Sequence, residues 1–213
     1  MSTFVTKCCF IGSAGIAAQQ TFAKVNRLRA DPQGRYKALF YGDPGTGKTR
    51  LAVAIAHALA GHALAIEKLN GQSMTAERVR DWIRQSAYKS MYSDWTVRIV
   101  NEIDSSSPGA QSELIEFLDD IPACTALIAT TNAALECKGM TPAQRKAALP
   151  ERIHSRFIPY KFKSVTVDEL TPFLTRWLSK EKARIIATAN AGNVRGALAD
   201  TERELDRLSV DAA

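Results

Sequence analysis

The chain has 213 residues, 46% of them apolar and 23% charged, with a net charge of +6. That is enough for one sizeable core, or a core with a small appended domain, and it is the composition of an ordinary soluble globular protein. The basic excess permits an anionic partner without demanding one, and no repeat or low-complexity block points to a fibrous or disordered class.

Taken in chain order, the pattern alternates between strand and helix. KALFYG (37–42) is a short apolar run before a glycine loop, which predicts a buried strand, and TRLAVAIAHALA (49–60) follows as an Ala/Leu-rich helix. ALAIEKLN (63–70) reads as a strand. TAERVRDWIRQSAY (75–88) carries Val79, Trp82, Ile83 and Ala87 at helical spacing. WTVRIVNEID (95–104) is a strand, AQSELIEFLDD (110–120) a helix, CTALIATTN (124–132) a strand and FIPYKF (157–162) an edge strand. Strands alternating with helices imply a parallel sheet covered on both faces. From Ser164 the period is helical throughout. The expected organisation is therefore an α/β domain over 1–163 and a small helical domain over 164–213.

The four cysteines, Cys8, Cys9, Cys124 and Cys137, form no CxxC pair and no legible disulfide framework; they read as reduced packing or surface thiols. His57 and His62 are five apart, the wrong spacing for one helical face. The longest apolar-looking run, 51–66, is interrupted by both histidines and Gly61 and falls short of a membrane span. With no sustained apolar segment or cleavage site at the N-terminus, the expected location is cytoplasmic, with no membrane partner.

GDPGTGKT (42–49) sits between the first strand and helix and fits G-x-x-x-x-G-K-[ST]. Gly42, Asp43, Pro44, Gly45, Thr46 and Gly47 would wrap phosphates with backbone N–H groups. Lys48 would reach the β- and γ-phosphates and Thr49 would ligate Mg²⁺; Arg50 continues the nucleotide-contacting segment. The cofactors implied are ATP and Mg²⁺. RIVNEID (98–104) has the shape of the strand that serves metal and water in such sites. Where an acid is usual for the metal it has Asn101, which keeps an acceptor oxygen but no charge, and Glu102 follows as candidate general base. Asp104 is the alternative source of charge, two residues further on. Slow but real turnover is the expectation.

As a set, these motifs resemble the AAA+ ATPase family, and most of all its clamp-loader group, such as replication factor C small subunits. FIGSAGI (10–16) is similar to the segment lining the adenine pocket, which implicates Ile11 and Gly12. LNGQSMTAERVRDWIRQ (69–85) looks like the Asn-x-Ser stretch and following helix of clamp loaders. IATTN (128–132) looks like sensor 1, ending in Asn132. RIHSRF (152–157) resembles the box whose arginine, here Arg156, reaches a neighbour's ATP, and GNVRGAL (192–198) resembles sensor 2, with Arg195 on the lid. Taken singly, both arginines read as solvated surface groups; the order of motifs reverses that.

The resemblance implies a P-loop AAA+ sheet followed by a helical lid. It also implies assembly with other AAA+ subunits, as a homo- or hetero-oligomer, and partners such as a sliding clamp or helicase. DNA contact would be without sequence specificity, through Arg80 and Arg84, which are four apart on one helical face. The basic stretch at 145–163 contains the presumed finger and faces a neighbour's nucleotide on this reading. Three departures stand out. Asn101 replaces the usual acid. The 110–120 helix carries Glu113, Glu116, Asp119 and Asp120 where clamp loaders have bases. The expected form is short, without a collar domain. Clamp-loader-like remodelling of a partner in DNA replication is the leading reading. A helicase loader or transposition-type regulator, and a non-hydrolysing subunit that binds ATP as structural glue, remain open. A small-molecule kinase would leave the sensor and finger motifs unexplained.

Overall fold

The computed structural model describes residues 10–85, 88 and 91–211, with side chains through 207. Cys8, Cys9 and Ala87 lie outside the described residues. The helices and strands run in order α1 (Gly12–Leu28), β1 (Arg35–Gly42), α2 (Lys48–Ala60), β2 (Ile66–Asn70), α3 (Ala76–Gln85), β3 (Thr96–Asn101), α4 (Pro108–Asp119), β4 (Thr125–Thr131), α5 (Pro142–Ala147), α6 (Glu151–His154), β5 (Ile158–Phe162), α7 (Val167–Leu174), α8 (Lys180–Ala189) and α9 (Val194–Asp211). The five strands form one sheet in the order β2-β3-β4-β1-β5, and every neighbouring pair is parallel. The expected parallel sheet, helix-covered on both faces with β5 at an edge, is what the chain forms.

Side chains alternate between the two faces of each strand. Tyr36, Ala38 and Phe40 of β1, Val97 and Ile99 of β3, and Ala126 and Ile128 of β4 pack under α1 and α2. Leu39, Val100, Leu127 and Ala129 turn the other way, onto α3 and α4 with Trp82, Leu114 and Phe117. Burial on both faces explains why these strands read as continuous apolar runs rather than alternating ones. The helices α7–α9 enclose a cluster of their own, built on Leu170, Leu174, Ala183, Ala187 and Ala197. Thr166 and Glu169 form a reciprocal capping box that starts α7.

Helix α1 has no counterpart among the elements expected from periodicity. Its buried stripe is Ala14, Ala17, Ala18, Thr21, Phe22 and Val25, mostly small residues that leave little hydrophobic contrast in the sequence. Two expected boundaries move, and one expected burial does not hold. Residues 63–65 form a 3₁₀ turn rather than strand, with the His62 ring accepting from the Leu64 N–H at 3.2 Å. β3 ends at Asn101 rather than running to 104, because Glu102 takes the left-handed conformation (φ 52°, ψ 52°) and the chain turns through Ile103–Ser105. In α3, Val79 and Trp82 are buried as the spacing required, but Ile83 is 39% exposed.

Arg98 is only 2% exposed, an unusual charge inside β3. Its guanidinium lies 5.2 Å from the Trp82 ring and 5.4 Å from the Phe117 ring. Glu67 is its nearest acid, at 3.8 Å, and that carboxylate already accepts from Arg78 (2.9 Å) and the Trp82 indole (2.8 Å). Burial lowers the Arg98 pKa to about 10, with Glu67 opposing the shift and Arg78 reinforcing it. A buried cation is costly even when paired, and removing its partner is worse than removing the pair. Glu67→Ala is therefore expected to destabilise the fold by about 3 kcal/mol, whereas Arg98→Met costs less than about 1 kcal/mol. Urea unfolding midpoints of the two variants test this, and equal losses would contradict it.

Candidate nucleotide-binding site

At the carboxyl edge of the sheet β4 lies between β1 and β3, and its register sets Tyr41 beside Thr131 and Val100 beside Ala129. The ends of β1, β3 and β4 therefore open on one place, where open α/β sheets bind their ligands. A cleft of about 460 Å³ lies there, lined by the loop Pro44–Arg50, by Glu102, by Thr130–Asn132, and by Val194, Arg195, Leu198, Ala199 and Glu202 of α9. A larger cavity of about 840 Å³ sits at the opposite end of the sheet, beside Trp95 and Arg98. It has no contact with the glycine loop, so phosphate chemistry belongs to the smaller cleft.

The loop is shaped for an anion. Gly42, Gly45 and Gly47 have φ of 126°, 75° and 96°, a region L side chains rarely adopt. A Cβ on Gly42 would stand 2.0 Å from the Phe162 carbonyl oxygen, so β1 can leave β5 this closely only with glycine there. α2 begins directly after Gly47, and its first N–H groups and helix dipole face the cleft. Lys48 is 7% exposed. Its ammonium donates to the carbonyls of Gly42 (2.8 Å) and Asp43 (2.6 Å). Burial lowers its pKa to about 8; Asp43 pulls the other way and Arg195 adds to the lowering. Thr46 donates to the Asp43 carbonyl at 2.8 Å, which braces the turn.

The catalytic candidates divide into those the fold brings together and those it does not. Lys48, Thr49, Arg50, Glu102, Asn132 and Arg195 share the cleft. Asn101, expected at the metal, is not among the residues lining it; its side-chain oxygen accepts from the Thr130 hydroxyl at 3.3 Å. Asp104, the alternative charge, accepts from Thr131 at 2.5 Å and also stands outside the lining. Ile11 packs against the cluster of α7–α9, and Gly12 lines a separate depression near Lys161 and Lys163; neither lines the cleft. The side chain of Asp43 points away to Ser164.

Arg156 is held within its own chain. Its Nε and Nη2 donate to Asp119 at 2.6 and 2.8 Å, and its Nη1 to the Arg152 carbonyl. The Arg156 hydrogen bond keeps the Asp119 carboxyl below its usual range. Arg80 and Arg84, the candidate DNA contacts, are likewise paired. Arg80 donates to Glu113 at 3.0 and 2.6 Å, and Arg84 pairs with Asp81 one turn back. The acids of α4 thus meet arginines of this chain.

Two contributors were missed in the sequence. Asn70 donates from its side-chain amide to Glu102 at 3.4 Å, across a turn where a Cβ on Gly71 would stand 2.1 Å from the Glu102 carbonyl oxygen. The Asn-Gly pair at the end of a strand beside RIVNEID was the available signal. Glu202 lies seven residues after Arg195 on α9, two turns along the same face, a spacing that was legible.

A glycine loop between strand and helix, an acid just past the end of a second strand and an arginine from a following helical unit define a P-loop nucleotide-binding α/β protein. The chain matches the ATPase family associated with various cellular activities (AAA) over residues 38–157, more than half its length, and it belongs to that family. Proteins of that family are ATPases, as its name states. Among curated proteins the chain is similar to the replication factor C small subunit of Methanocella arvoryzae, at 26% identity over 179 residues. The match covers 82% of this chain and 52% of that protein, so the chain spans about half the relative's length. Among solved structures it is similar to the Holliday junction branch migration motor RuvB of Thermotoga maritima, with a TM-score of 0.72, 21% identity, and coverage of 95% of this chain and 65% of the other. It is also similar to a DNA polymerase III gamma subunit-related protein of Thermotoga maritima, with a TM-score of 0.62, 11% identity, and coverage of 86% and 57%. At these identities the solved structures speak to fold alone. Among the described residues no helix is long and apolar enough to cross a membrane.

Proposed function

We propose that the protein hydrolyses ATP as one subunit of an AAA+ oligomer and uses the cycle to remodel a partner protein on DNA during replication, in the manner of a clamp loader. The observation that carries this reading is the convergence of Lys48, Thr49, Glu102, Asn132 and Arg195 on one cleft. The glycine loop and Lys48 hold the β- and γ-phosphates. Asn132, at the end of β4, orients a water. Glu102 takes a proton from that water as its oxygen attacks the γ-phosphorus and the bond to the β–γ bridging oxygen breaks, releasing ADP and phosphate. Arg195 reports the γ-phosphate to the helical unit that carries it. A magnesium ion suits the cleft if phosphate oxygens and the Thr49 hydroxyl hold it, and when bound it offsets phosphate charge. Glu102 sits in a strained conformation with Asn70 on its carboxylate, an arrangement that keeps the base aside until the pair loosens.

Arg156 is assigned to the ATP of a neighbouring subunit, which requires it to leave Asp119. Contact of Arg80 and Arg84 with DNA requires them to leave Glu113 and Asp81. These are exposed pairs, weakened by solvent screening, and phosphates can compete with them. The similarity to a replication factor C small subunit supports a role in replication, with a sliding clamp or a helicase as the partner acted upon. A second reading, a non-hydrolysing subunit, draws on Asn101 at the place of the usual acid.

Arg156→Ala is expected to bind ATP normally and to lose turnover by about 10³-fold or more, the scale of arginine fingers elsewhere. Mixing it with Lys48→Ala chains restores activity, because an intact composite site forms at a mixed interface. Primed DNA raises the wild-type rate. Mixed oligomers that assemble by light scattering yet stay inactive contradict the role in trans, and indifference to DNA contradicts the replication role.

A further inference from the structure

Asp43 belongs to the glycine loop by sequence, yet its carboxylate serves a different part of the molecule. One oxygen, Oδ2, accepts from both the backbone N–H of Ser164 (3.0 Å) and its hydroxyl (2.6 Å). Ser164 lies between β5 and α7, where the chain passes into the helical unit. These hydrogen bonds hold the Asp43 carboxyl below its usual range, so it is ionised at neutral pH and the contact is charge-assisted.

The contact continues toward the cleft. Next to Ser164, the Val165 carbonyl accepts from the Gly192 N–H at 2.9 Å. Gly192 has φ 84°, and a Cβ there would stand 3.3 Å from that of Ser164. The next residue, Asn193, presses on the phosphate loop itself: its side-chain oxygen lies 2.4 Å from where a Cβ of Gly45 would be. That oxygen also accepts from the Gly196 N–H at 3.1 Å, at the start of α9. Arg195, two residues on, lines the cleft. At the loop end, the Asp43 carbonyl is one of the two that hold the Lys48 ammonium. One residue therefore touches the phosphate-binding lysine through its backbone and the helical unit through its side chain.

We propose that Asp43 is a positioning residue: its carboxylate, through Ser164, sets α9 so that Arg195 reaches the cleft, and it couples phosphate binding at Lys48 to that placement. This rests on the ATPase reading of the cleft. Phosphate drawing the Lys48 ammonium away from the Asp43 carbonyl changes the loop peptide whose side chain grips Ser164. The coupling needs an acceptor at position 43 and a donor at position 164, not the negative charge as such.

The test uses the full chain, with ATP as the probe and two readouts. In steady-state kinetics, Asp43→Ala is expected to lower kcat about tenfold with KM within about threefold, and Ser164→Ala, which keeps its backbone N–H on Asp43, to lower kcat by a smaller factor. The double variant is no worse than Asp43→Ala alone, because the Ser164 hydroxyl has no carboxylate left to donate to once position 43 is alanine. Asp43→Asn keeps most activity, since its amide oxygen accepts from the same two donors. Arg195→Ala costs far less in the Asp43→Ala background than in the wild type. In hydrogen exchange, ATP protects 164–198 in the wild type and in Asp43→Asn but not in Asp43→Ala, whose unliganded exchange elsewhere matches the wild type. Additive losses from positions 43 and 164, or ATP-induced protection that survives Asp43→Ala, overturn the proposal. Absence of wild-type turnover overturns the ATPase reading instead, and the exchange arm then decides the coupling, since it needs only ATP binding.

Discussion

Lys48→Ala is expected to lower ATP affinity at least about 100-fold, since truncating one partner of a buried charge pair costs several kcal/mol. The fold tolerates the change. Lys48 opens α2 but the helix is held by Leu51, Ala52, Ile55, Ala56 and Leu59, and removing a buried cation relieves its desolvation. The same lysine predicts a pH dependence. Its pKa is lowered to about 8, chiefly by burial, and the charged form is the one that binds phosphate. Affinity is therefore level below pH 8 and falls by about tenfold per unit above it, while a bound triphosphate raises the pKa and takes up a proton near pH 8. Titration of a fluorescent ATP analogue between about pH 6.5 and 9.5, with wild type and Lys48→Ala, checks both statements. Unchanged binding by the variant would remove the phosphate-loop assignment altogether.

The second large effect lies at the end of β3. Glu102→Gln is expected to cut hydrolysis by about 10²–10⁴-fold while ATP stays bound, because the substitution removes the base and leaves the loop untouched. Asn101→Asp is expected to lower the magnesium needed for half-maximal rate, by adding charge near the phosphates. Asn101 stands back from the cleft with its oxygen on Thr130, so the gain is one of field and water-mediated contact rather than direct ligation. The non-hydrolysing alternative forecasts no turnover in wild type at any magnesium level and none in Asn101→Asp. A magnesium titration of the three proteins separates the two readings. Wild-type turnover indifferent to Glu102 would contradict the active-site assignment.

Much of the fold and the cleft is legible in the amino-acid sequence. The phosphate loop is contiguous, eight residues whose backbone does most of the binding, so spacing alone locates Lys48 and Thr49. Glu102, Asn132 and Arg195 each end or begin an element, and elements with strong periodicity place their ends within a few residues. The parallel sheet follows from unbroken apolar runs such as ALIAT, which only burial on both faces explains. Helix α1 escapes because a stripe of alanines carries almost no amphipathic contrast.

What the linear chain does not reveal is which polar groups meet across it. Asp43 looks like one more loop residue, yet its carboxylate ends on Ser164, 121 positions away. Arg80 and Arg156 look free and basic, yet α4 meets both with Glu113 and Asp119. Asn70 is a strand terminus until β2 is laid beside β3 and brings it to Glu102. The physical reason is common to all of them. Backbone hydrogen bonding and hydrophobic period are local and repeat along the chain, so sequence encodes them redundantly. A side-chain hydrogen bond is one contact of about 3 Å between elements whose relative placement depends on the packing of the whole core.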